Sequence, residues 1–215
     1  MKDVNYFVKL STYAKSLLDT LPIEKEPQPL QYAVEKLYGK LKQIKEDEVE
    51  KLKILWVKKN FIQELPKKKD SIGLNTIGSL TDRFTILIIK EWCLRNKSNN
   101  VQNANNLFEN QTKDIIRCLA NSVPGNSAIN SKITNIKTDV IAQDWEEAFF
   151  GLLAVNLVLW ESQEVLYIKD ISLLPAEELR AYIHWFAHGN MERNVLMELC
   201  ESRYWEKINS LKNEK

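Results

Sequence analysis

The chain has only two histidines, His184 and His188, and Glu192 lies four residues beyond the second. At i, i+4 and i+8 the three side chains share one face of a helix. Two imidazoles four residues apart can chelate one zinc or iron ion, with the carboxylate as a third ligand. The run is H-W-F-A-H, so it lacks the Glu of H-E-x-x-H that serves a metalloprotease as general base. The E-x-x-H pairs of di-iron bundles are also missing from it. His184 and His188 are therefore expected to be surface or capping residues, with no bound metal and no cofactor.

A second set consists of polar groups set into apolar stretches. Asn156 interrupts L-L-A-V-N-L-V-L-W, and Glu161 and Glu164 follow on the same helix. Asp82 and Lys90 bracket the uncharged run F-T-I-L-I-I at 84–89, while Asn190, Glu192, Arg193 and Asn194 cluster as N-M-E-R-N. Buried polar groups must be paired, because one left unsatisfied costs about 1–3 kcal/mol. Three chemistries fit. The set can be a salt-bridge and hydrogen-bond network that sets helix register, which is the reading the residues favour. It can be a polar pocket for a small ligand, using Asn156, Asn190, Glu192 and Asn194. Or it can be an acid–base site built from Asp82, Lys90, Glu161, Glu164 and Arg193. Arg193 stands between Met191 and Leu196, so it should be partly enclosed and need a carboxylate from another helix: Asp82, Glu161 or Glu164. Glu192 is adjacent and points about 100° away around the helix.

Other templates fail. No G-x-x-x-x-G-K-[ST], G-x-G-x-x-G or G-x-S-x-G run is present, so neither a phosphate-cradling loop nor a nucleophile elbow is expected. Cys93, Cys118 and Cys200 are odd in number and far apart, and read as reduced, buried thiols of a cytoplasmic protein. The net charge of +1 sets up no global field to recruit nucleic acid. The N-terminus has no continuous apolar segment, so no signal peptide is expected. The apolar run Ala148–Trp160 is short for a bilayer and suits a buried core helix, so no membrane span is expected.

The elements that must position these groups are helices. Six Gly and six Pro are too few for the turns of an all-β chain of 215 residues. The residues from Asp3 to Leu21 carry a helical stripe, and Pro22, Pro27 and Pro29 break it. Residues 29–65 read as one long helix, with Leu30, Val34, Leu37, Leu41 and Ile44 as a seam, part of it able to project as an arm. Thr76–Arg95 is apolar on nearly every side at its centre and must be enclosed by other helices. Asn96–Asn106 reads as a loop, and Leu107–Ala120 as a helix with Phe108, Ile115, Ile116 and Leu119 inward. Asp144 with Glu147 three residues later forms a capping box ahead of a second buried helix. A last helix runs from Pro175 to about Leu211, with Leu179, Ile183, Phe186, Met191, Leu196 and Leu199 inward. Gly189 in its middle implies a close helix crossing or a kink. The expected architecture is a single all-α domain over 1–215, a helical bundle of five to seven helices around two central apolar ones.

Two segments carry a resemblance. Ile77–Lys90, IGSLTDRFTILIIK, resembles the G-x-L-x-D-[KR]-x-[ST]-I-L-x-x-K segment of small uncharacterised bacterial helical domains. Asn190–Leu196, NMERNVL, resembles the E-R-N-x-L run of their last helix. Those domains are often associated with glycosyltransferases and lipopolysaccharide core synthesis. The resemblance implies a helical fold and a role in a glycan pathway. The functional expectation is a cytoplasmic, non-enzymatic helical protein that associates with itself or a protein partner. The alternative is an enzyme or ligand-binding protein using the polar inter-helix set, with His184 and His188 added in a metal-assisted version.

Overall fold

The computed structural model describes residues 4–21, 76–122 and 140–213, and every regular element among them is helical. We label these elements α1 (Val4–Leu18), α2 (Ile77–Asn96), α3 (Val101–Leu107), α4 (Lys113–Ala120), α5 (Trp145–Ile168) and α6 (Ala176–Asn213). The expected all-α bundle is what forms. The long helix expected over 29–65 lies outside the described residues.

α2 and α5 are the centre, for the reason their composition gives. The Thr76 hydroxyl accepts a hydrogen bond from the Ser79 N–H and starts α2. The helix then buries Ile77, Leu80, Phe84, Leu87, Ile88, Ile89 and Trp92. Asp144 caps α5 by accepting from the Glu147 N–H, and Glu147 reaches back to the Gln143 N–H at 2.7 Å, one residue before the cap. Leu152 to Leu159 are then buried without a break, Asn156 included. α5 extends beyond its apolar run to 24 residues, which by length and composition alone could cross a bilayer. Its most apolar window is 72% buried inside the protein, as in a core helix.

α5 and α6 pack antiparallel in a register that can be read from pairs. Trp145 meets Tyr204 edge to face with ring centres 5.7 Å apart. Further along, a Cβ on Gly151 would sit 2.8 Å from Leu196 Cδ2, and one on Gly189 would sit 3.2 Å from Leu159 Cδ2. Each helix thus offers one glycine for the other's leucine, and the expected close crossing at Gly189 is present. Along α2 and α6, Gly78 meets Glu201 and Asp82 meets Arg193, which also descend in opposite directions. α2 and α5 therefore share a direction, with α6 running against both.

Two expectations are corrected. The Asn-rich stretch Asn96–Asn106 is mostly helix: the turn occupies only 97–100, with Asn99 at φ 51° and the Asn100 side chain capping α3 by accepting from the Asn103 N–H. Asparagine is at home both in left-handed backbone and at a helix start. Only Ala104 and Leu107 of α3 turn inward, so no apolar pattern marked the helix. α3 continues through a wide π-helical turn, Phe108–Thr112, into α4, where Ile116 and Leu119 are buried. On α6, Ile183 is 63% exposed, and Tyr182, rotated one position around the helix, takes the inward place.

Candidate functional site

The polar set separates into distinct clusters. In the first, α2 presents Asp82 and Thr85 three residues apart on one face, α5 presents Asn156 and α6 presents Arg193. Arg193 donates from Nε to Asp82 Oδ1 at 2.7 Å and from Nη2 to Oδ2 at 2.6 Å, a two-pronged pair. Asn156 Nδ2 donates to the same Oδ1 at 3.0 Å and to Thr85 Oγ1 at 2.8 Å. The Thr85 hydroxyl donates to the Asp82 backbone carbonyl at 2.8 Å. Asp82, Thr85 and Asn156 are buried. The hydrogen bonds to Asp82 raise the Arg193 pKa above its ordinary value, against the opposing effect of burial, so the guanidinium stays charged. Both oxygens of the carboxylate are thus engaged by its neighbours in the bundle.

The expected convergence on Glu161 and Glu164 does not occur. Both pair instead with Lys97, at the end of α2: Glu161 in direct contact and Glu164 at 3.9 Å. Trp160 Nε1 also donates to Glu164 at 2.9 Å. Five residues separate Asn156 from Glu161, about 7.5 Å along the helix, which is enough to divide the set. Burial pushes the Glu161 pKa up, with the Lys97 charge and hydrogen bond opposing and Glu164 adding to the rise. Burial also lifts the neighbouring Cys93 thiol to about 12, so it is protonated and unreactive near neutrality. Cys200 is likewise pushed up, by burial and by the negative charges of Asp82 and Glu201, whereas Cys118 is exposed on the outer side of α4, against the expectation of a buried thiol.

Lys90 is exposed and belongs to neither cluster, because it falls on the solvent side of α2. Asn190 spends its Nδ2 on the Phe186 carbonyl of its own helix at 2.7 Å. Glu192 and Asn194 are half-buried on α6 beside Arg193. His184 and His188 lie against each other, ring centres 4.0 Å apart and planes tilted by 42°, on an exposed face. Among the described residues, no group of three or more His, Cys, Asp or Glu is placed to hold a metal ion.

Sequence reasoning missed three buried carboxylates. Glu91 takes Lys15 of α1 at 3.0 Å and Arg95 at 3.3 Å. Glu146 accepts from Tyr6 Oη at 3.1 Å and from Lys207 at 2.5 Å. Glu201 accepts from the Gly78 N–H at 2.9 Å, in the first turn of α2, where the helix dipole favours a negative charge. The one visible signal was i, i+4 spacing, as in Glu91–Arg95 and Glu201–Trp205. Lys97 was lost to the stretch read as a loop. In comparisons with protein-family models, curated proteins and solved structures, nothing matches this chain.

Proposed function

We propose that this chain is a cytoplasmic helical assembly protein that self-associates, accessory to glycan synthesis and not itself an enzyme. The observation that carries the assembly reading is the end of the α5–α6 pair. Tyr167, Ile168, Ile171, Leu173 and Ile183 are all exposed there, within seventeen residues of sequence. A contiguous exposed apolar surface marks interaction sites, and these five side chains supply the apolar groups for one. The interior supports the non-enzymatic part: Asp82 and Arg193 are spent on each other, and Glu161 and Glu164 on Lys97. The glycan-pathway part rests on the two segments that resemble the bacterial helical domains. Those segments meet in the bundle, Asp82 of one holding Arg193 of the other.

Light scattering across micromolar concentrations tests the assembly. We expect about twice the 25.1 kDa of one chain. Ile168→Asp with Leu173→Asp, both on exposed positions, should yield the single-chain mass with unchanged helicity. A wild-type protein that stays at the single-chain mass sinks the reading. For the pathway, deleting the gene should alter the gel mobility of the cell's surface glycan, and unaltered mobility removes that part.

A further inference from the structure

A cleft of about 320 Å³ opens between α1 and the C-terminal half of α2, at the lower end of the size range of small-ligand sites. Glu91 and Trp92 line it from α2, joined by Arg95 and by Lys15 from α1. Glu91 is 1% exposed, yet its two oxygens are used unequally. Oε1 takes Lys15 at 3.0 Å and both Arg95 nitrogens at 3.3 and 3.4 Å, while Oε2 has no hydrogen-bond partner. The adjacent Trp92 is 2% exposed and its Nε1–H has no acceptor. Two residues that line the cleft thus each hold one buried polar atom without a partner, an acceptor on Glu91 and a donor on Trp92.

Buried polar groups in folded proteins are nearly always paired, so an unmatched acceptor and an unmatched donor on residues that line one cleft call for a ligand that supplies both. A hydroxyl does: it donates once and accepts twice. The charges disfavour other chemistries. An anion would face Glu91, and a cation would face Lys15 and Arg95. Asp19 at the rim, bonded to Asn96, brings the formal charge of these four groups to zero. Indole, carboxylate, guanidinium and amide together suit a ring of hydroxyls.

We propose that this cleft binds a neutral polyhydroxylated ligand, a saccharide, with Glu91 Oε2 and Trp92 Nε1 as its inner partners. Lys15 and Arg95 meet the ligand first, since their side chains are 22% and 35% exposed while the two inner atoms are shielded from solvent. Both are long and shift to admit a hydroxyl.

The test uses the full chain labelled with ¹⁵N, with the Trp92 indole resonance assigned through Trp92→Phe. Glucose, galactose, N-acetylglucosamine and maltotriose are titrated separately, alongside inorganic phosphate. A saturable shift of the Trp92 indole signal with at least one sugar, and none with phosphate, is expected. Glu91→Gln should weaken that binding at least tenfold. Arg95→Gln, at a part-exposed position where the fold does not depend on the charge, should weaken it severalfold. Maltotriose binding tenfold tighter than glucose assigns a glycan chain, and equal binding assigns a single sugar. A shift with phosphate alone makes the cleft an anion site and overturns the proposal. So does a Trp92 signal unmoved by every sugar, or sugar binding indifferent to both substitutions.

Discussion

Asp82 and Glu91 are both buried carboxylates of α2, nine residues apart and so on opposite faces of the helix. Asp82 faces α5 and α6 and fills both its oxygens, three donors converging from two helices. Glu91 faces α1 and crowds its cations onto one oxygen. The difference lies in what surrounds each one. Asp82 is enclosed by α5 and α6, whose glycines let the two backbones approach. Glu91 faces a cleft. A carboxylate locked on both oxygens by three donors holds helices in register, whereas one with a spare oxygen beside a cleft is free to receive something.

The comparison predicts unequal costs. Arg193→Met should be the most damaging change, because it strands the buried Asp82 charge. Removing one member of a buried pair typically costs about 3–5 kcal/mol. Urea unfolding measures it, and a loss under about 1 kcal/mol would mean that the cluster is solvated and open like an exposed pair. Asn156→Ala removes two hydrogen bonds but leaves Asp82 paired with Arg193, so about 1–3 kcal/mol should be lost. Glu91→Gln should cost about 1 kcal/mol, since Lys15 and Arg95 can turn to water. If Glu91→Gln proves as costly as Arg193→Met, the contrast between the two faces of α2 is wrong.

The smallest effect is one of pH. The folded pKa of Glu161 is raised above its ordinary value of 4.5, chiefly by burial. Between 4.5 and the folded value, the native state therefore binds more protons than the unfolded chain. Glu161 thus weakens stability as pH rises through that window, and acidification toward 4.5 relieves it. Urea midpoints at neutral pH and near pH 5 should show Glu161→Gln losing this dependence while other carboxylates keep theirs. An identical pH profile in the variant would show that Lys97 compensates the burial fully.

The helices at the centre were legible because apolar spacing is local. F-T-I-L-I-I and L-L-A-V-N-L-V-L-W can only be enclosed, and Asp144 with Glu147 announces a start whichever helices pack nearby. Gly189 signalled its close approach for the same reason: a helix interior tolerates the residue only where something needs its bare face. α3 was illegible because its asparagines face water, where packing leaves no pattern.

The sequence by itself determined that the chain is helical, which helices are central, and that Arg193 needs a carboxylate from another helix. Three candidates were equally available to it, and only the tertiary structure chose Asp82, sent Glu161 and Glu164 to Lys97 and put Lys90 in water. The physical reason is that a helix's own periodicity says which residues share its face, but not how far a neighbouring helix slides or rotates against it. A shift of a single turn, about 5.4 Å, exchanges one partner for another. That offset is decided by the fit of Gly151 to Leu196 and of Gly189 to Leu159, a match between surfaces far apart in the chain.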